Sequence, residues 1–230
     1  MKAGFYSIEC NNYIFELSVT KYDESYSFQF GEVKSNDGPC VELTYDVNNP
    51  KILVLESLKH HAKCAINKNL ERSSGTIIMI KCIFKLIVTE FPSIKRISFK
   101  DVADFNCDGK RITLSYHYLC LYGQTWYEKH FQAIAKSKHY RHTLDEFRKY
   151  LKKRHGKFEN WHAYFHHKKA TEGCNYFIEH QDDILKMLSI NLIYSEWYIR
   201  TKDIIKYDVE IKKKRVKYLQ SGGWKEYVRF

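Results

Sequence analysis

The chain predicts an α/β (α+β) protein with a mixed central sheet and flanking helices, and three observations carry that expectation. The first fifty residues alternate apolar and polar positions as strands do, residues 76–91 form one long apolar helix, and short strand-like runs bracket that helix as in a βαβ unit. Residues 13–19, 26–30 and 41–45 are rich in β-formers and are separated by the turn-like segments KYDES and KSNDGP, so an antiparallel meander is expected. The continuous apolar run 52–55 reads as a more central strand, and residues 60–66 as a further strand or an irregular continuation. Ile77, Ile80, Phe84, Ile87 and Phe91 recur at helical spacing, and Ile78, Ile83, Leu86 and Val88 widen the stripe until nearly the whole circumference is apolar. Such a helix must be buried. Pro92 stops it, residues 96–100 give a strand, and the two strands either side of the helix are expected parallel with a right-handed crossover.

Composition narrows the class further. With 230 residues and a 44% hydrophobic share the chain can build a real core, and with 10 Gly and 3 Pro it is neither fibrous nor linker-like. The longest apolar run, 77–88, is broken by Lys81 and Lys85, and MKAGFYSIEC has no apolar signal region, so a cytoplasmic protein without a membrane span is expected. Seven cysteines with no CxxC pair favour buried thiols over a disulfide framework or a zinc ribbon.

Residues 112–122 read as a helix ending at Gly123, and Thr125 with Glu128 three residues on has the form of a capping box for the next one. Beyond Phe131 the character changes. Residues 138–169 hold ten Lys or Arg against three Asp or Glu, which is +7 of the formal +11. The expected organisation is therefore residues 1–135 as one domain and 136–230 as a basic, mainly helical C-terminal extension packed on it.

Arg72 and Gly75 precede the apolar helix, and a helix N-terminus with unpaired amides is a place where a phosphate can sit. The order of glycine turn, long helix, strand and aromatic helix resembles the GNAT acyltransferase superfamily, whose acetyl-CoA site carries the pattern R/Q-x-x-G-x-G/A at a helix start. Arg72 and Gly75 fall on that pattern, and Ile77 stands where it has a small residue. Trp126-Tyr127-Glu128-Lys129 is similar to the family's later helix, in which a tyrosine protonates the departing CoA thiolate. The block also looks like acetyltransferase-like proteins of large DNA viruses, and the Lys-, Ile-, Asn- and Tyr-rich composition suits an AT-rich viral genome. The resemblance covers about residues 52–131 and implies a GNAT-like fold, acetyl-CoA as cofactor, an amine as acceptor, and a host-cytoplasmic or virion location.

It also implies roles. Arg72, Ser73, Ser74, Gly75, Thr76 and Ile77 are the expected pyrophosphate cradle, and Tyr127 the acid. Glu56, at the end of an apolar strand, is the expected base acting through water, with Asp101 and Asp104 as alternatives. A second class stays open: a non-enzymatic protein with a degenerate acetyltransferase fold that binds nucleic acid, another polyanion or virion components. Lys152, Lys153 and Arg154 are its expected contacts. His155, His162, His166 and His167 cluster in sequence but lack a Glu or Cys partner pattern, so no metal site is expected there.

Overall fold

Period-two burial builds the sheet. Strands β1 (Gly4–Cys10), β2 (Tyr13–Lys21), β3 (Ser25–Phe30), β4 (Val41–Asp46) and β5 (Ile52–Leu58) form an antiparallel meander in that order. Their core-facing side chains, among them Ile8, Phe15, Leu17, Phe28, Phe30, Leu43 and Leu53, are fully buried. The computed structural model describes residues 1–31, 38–107, 109–155 and 196–216. They fall into two units, Met1–Ser98 with Arg200–Phe230, and Phe99–Ile199. The chain passes from one to the other within strands β6 (Arg96–Lys100) and β10 (Glu196–Arg200).

Helix α1 (Ser74–Glu90) follows β5 in the first unit, and Met79, Ile80, Cys82, Ile83, Phe84, Leu86, Ile87 and Val88 along it are buried. The apolar stripe is thus inside, as its pattern requires. Phe91 closes the helix and packs edge-on against Tyr26 and Phe28, with ring centroids 5.4 and 5.6 Å away. Lys51 C=O at the start of β5 accepts from Lys95 N–H (2.8 Å) and Arg96 N–H (3.2 Å) at the start of β6. Neighbouring strands whose beginnings lie side by side run parallel, so the fold is α+β with a mixed, mostly antiparallel sheet, and α1 is its crossover.

Several elements differ from their sequence patterns. β1 had no separate expectation, although Tyr6, Ile8 and Cys10 carry the period of a strand. Of the two courses expected for residues 60–66, strand or irregular continuation, the chain takes the irregular one, bending through a 3₁₀ turn, Ala62–Cys64. The helix expected over 112–122 begins later, because Lys110–Thr113 is strand β8, paired with β7 (Asp104–Cys107); helix α2 is Leu114–Tyr122 and ends on Gly123 in the left-handed region, φ 65°. The cysteine expectation is corrected at one pair. β4 and β5 pair Val41 with Leu58, which sets Cys40 beside residue 59, and Cys40 forms a disulfide with Cys64. Closing that loop stabilises the fold by about 3 to 4 kcal/mol. Cys10 and Cys82 are buried free thiols, as expected.

The described residues beyond 135 include strands as well as helices. Helix α4 (Lys138–His155) lies in the second unit, but β11 (Ile211–Val216) returns to pair antiparallel with β1, from Phe5↔Val216 to Cys10↔Ile211. Its basic residues have local work: Lys212 pairs with Glu9 (3.3 Å), Lys213 with Glu90, and Arg215 donates to Ala3 C=O (3.0 Å). Charged side chains on an outer strand also discourage edge-to-edge association.

Replacing Phe84 by Ala, or Ile80 by Ala, is expected to cost about 2 to 5 kcal/mol in urea unfolding, because each leaves a cavity under the sheet. A loss below about 0.5 kcal/mol would be that of a surface position and would contradict this account of α1.

Candidate functional site

The start of α1 is built by a tight turn. Ser73 has φ 71°, Ser74 N–H reaches back to Arg72 C=O (3.0 Å), and Ile77 N–H to Ser73 C=O (3.0 Å). The amides of Gly75 and Thr76 have no acceptor among the described residues, so this end keeps the donors a phosphate would use. Arg72, Ser73 and Ser74 are exposed, while Gly75 and Thr76 are buried and Ile77 half-buried. Gly75 also has a packing reason to be glycine: a Cβ there would stand 2.9 Å from Leu70 Cδ1. Glu71 accepts from Ser74 Oγ at 2.7 Å, which puts a carboxylate beside the helix start and competes with an incoming anion.

Glu56 is the extra residue of a β-bulge, since Glu42 pairs with Ser57 and Leu43 with Leu55. It is exposed, and its Oε1 accepts from Thr44 Oγ1 at 2.6 Å.

The second unit holds a different kind of carboxyl. Asp101, one residue past β6, is 2% exposed. Its Oδ2 accepts from Ser115 Oγ at 2.6 Å and its Oδ1 from Ala103 N–H at 3.4 Å. Burial pushes its pKa up to about 6, with those two hydrogen bonds pulling the other way. Asp104, the other alternative, is exposed and paired with Arg111 at 3.1 Å. Tyr127 is 4% exposed, its ring 4.3 Å from that of Phe99 and 4.9 Å from that of Trp126. Burial first and the Asp101 charge second hold its hydroxyl well above the ordinary phenol range, so it stays protonated. His117 is pushed down to about 4 by burial and is neutral at pH 7. Ser115 and His117, on α2, had no signal in sequence beyond lying in the apolar run LSYHYLC.

Helix α3 (Trp126–Phe131) positions Tyr127. Thr125 Oγ1 accepts from Glu128 N–H (3.3 Å) and Glu128 Oε2 from Thr125 N–H (2.8 Å), the expected capping box. Glu128 Oε1 then takes Arg148 Nη2 at 2.8 Å, and Arg148 Nε donates to Gly123 C=O at 2.6 Å. Arg148 therefore ties α4 to the α2–α3 turn, and one cation of the basic stretch is structural. Leu144 and Phe147 give α4 its buried face. Lys152, Lys153 and Arg154 fall in its last turn, where positive charge suits the helix dipole, and their side chains lie outside the described residues, as does that of His155. His162, His166 and His167 lie outside them altogether.

Thus Arg72 to Ile77 and Glu56 belong to the first unit, and Asp101, Ser115 and Tyr127 to the second. No helix among the described residues is long and apolar enough to cross a membrane. Comparison with family models, with curated proteins and with solved structures finds no match.

The buried carboxyl has a pH signature. Its folded pKa of about 6 lies above the ordinary 3.8, so the protonated form belongs to the folded state. The stabilisation is complete below about pH 4 and is lost as pH rises through 6, a swing of about 3 kcal/mol. Asp101→Asn is expected to flatten this part of the stability profile and to be no less stable than wild type at pH 7.5. Urea melts between pH 4 and 7.5 check it; parallel profiles for the two proteins would contradict the protonated, buried state.

Proposed function

We propose that the chain is an acyl-CoA-dependent N-acetyltransferase-like protein that moves an acetyl group from acetyl-CoA to an amine. The observation that carries the reading is Asp101: a buried carboxyl with a pKa near neutrality, on the residue after a strand reached by a parallel crossover. Ligand and catalytic groups collect at the carboxyl ends of such strands. A base tuned towards the working pH is worth about 10²- to 10⁴-fold in rate. In this reading Asp101, rather than Glu56, takes the proton from the amine, and Ser115 holds it in place.

Tyr127 has a narrower part than the resemblance implies. A thiol has a pKa near 8.5 and a phenol near 10, so proton transfer from tyrosine to the leaving thiolate is already uphill, and burial makes it more so. A hydroxyl that stays protonated is suited to donating a hydrogen bond to the developing thiolate.

Acetyl-CoA at a hundredfold over its dissociation constant is expected to stabilise the protein by about 2.7 kcal/mol. Asp101→Asn is expected to lower turnover about 10²- to 10⁴-fold while leaving CoA binding intact. Calorimetry showing no CoA binding to wild type would remove the enzyme reading.

A second reading is favoured by the Glu71 carboxylate beside the start of α1, which opposes a bound pyrophosphate. It takes the chain as a non-enzymatic binder of nucleic acid or another polyanion through its basic run. Charge reversal at Lys152, Lys153 and Arg154 is then expected to reduce the salt slope of binding by about two to three units. The absence of a mobility shift at low salt and micromolar protein would reject it.

A further inference from the structure

Cys40 immediately precedes β4, His61 precedes the 3₁₀ turn after β5, and Cys64 is the last residue of that turn. One ligand atom from each, two sulfurs and an imidazole nitrogen, lie within 4.8 Å of one another. His61 Nε2 is 3.1 Å from Cys40 Sγ, and His61 backbone N–H points at Cys64 Sγ, 3.4 Å away. We propose that this corner of the first unit is a redox-gated zinc site: closed as the Cys40–Cys64 disulfide, and open to Zn²⁺ as Cys₂His when reduced.

The chemistry of the donor set favours it. Two thiolates and one neutral imidazole are the soft and borderline ligands zinc selects, and three protein ligands leave the fourth position for water or another donor. Tetrahedral zinc sets sulfur and nitrogen about 3.5 Å apart and two sulfurs about 3.8 Å apart. The imidazole is already near that distance from Cys40, so the main movement is separation of the sulfurs by less than about 2 Å. The backbone around them is fixed by the sheet: Cys40 N–H donates to Phe30 C=O (3.0 Å), Lys59 N–H to Cys40 C=O (2.7 Å), and Cys64 N–H to His61 C=O (3.1 Å). Gly31 closes the other side, since a Cβ there would lie 2.8 Å from Cys40 Sγ. Both cysteines are buried and His61 is half-buried, which leaves the metal an approach from the imidazole side.

The steps balance. A dithiol reductant passes two electrons and two protons to the Cys40–Cys64 bond and leaves as its own cyclic disulfide. Zinc then displaces the two thiol protons to solvent and takes the lone pair of the neutral His61 ring. With the disulfide closed, Cys40 and Cys64 have no thiolate to offer and this site is absent.

The test uses the full chain, oxidised or reduced with a dithiol that is then removed under anaerobic conditions. Zn²⁺ is titrated in competition with a chromophoric chelator. The reduced protein is expected to take one zinc with Kd of about 0.1 μM or tighter, and the oxidised protein to bind at least about 100-fold more weakly. Cys40→Ser and His61→Ala are each expected to weaken binding by about 100-fold or more, and His60→Ala, the neighbouring imidazole, to leave it unchanged. Equal binding by oxidised and reduced protein would overturn the proposal. So would stoichiometric zinc that survives both substitutions, since other cysteines would then hold it. Should Cys40→Ser fail to fold, the oxidised and reduced wild type together with His61→Ala decide the matter.

Discussion

A seventeen-residue helix that is apolar around most of its circumference needs cover on more than one side, and the first unit is organised by that requirement. The sheet covers one part of α1, with Phe91 seated among Tyr26, Phe28 and Tyr45. The chain between β10 and β11 covers another: Ile204, Tyr207 and Val209 are buried, and Lys85, on the helix, donates to Tyr207 C=O (2.7 Å) and Val209 C=O (3.2 Å). Lys85 thereby keeps its charge satisfied on a mostly apolar element. The tail that supplies this cover then has only a short way to go to add β11 beside β1. Helix burial and the late return of the chain are one constraint.

The second unit makes the opposite bargain with polarity. Its buried positions, Phe99, Ile112, Leu119, Phe131, Phe147 and Trp197, are joined in the interior by a carboxyl and a phenol, Asp101 and Tyr127. A buried carboxyl resists ionisation, so Asp101 costs stability where it is charged; nothing in packing alone calls for it. Ser115 satisfies one oxygen without adding charge, which leaves the group titratable near neutrality. Groups poised in this way are more common where chemistry is done than where a fold is merely held together. That is the physical ground for weighing Asp101 above Glu56.

Sequence by itself determined what local periodicity and caps can fix. Strands β2 to β6, the burial of α1, the stop at Gly123 and the Thr125–Glu128 box all follow from residues within a few positions of one another, whose energetics are local. Tertiary structure alone decided the rest. The pairing of β11 with β1 joins residues some two hundred positions apart, and the Lys212–Glu9 and Lys213–Glu90 pairs exist only once it forms. The Cys40–Cys64 contact depends on the β4–β5 register, which no cysteine spacing reveals. Asp101 reads in sequence as one of several carboxylates after a strand, and only its burial beside Ser115 separates it from Asp104. Ionisation, disulfide pairing and metal-ligand geometry are set by which atoms exclude water and meet in space, and a linear pattern holds neither.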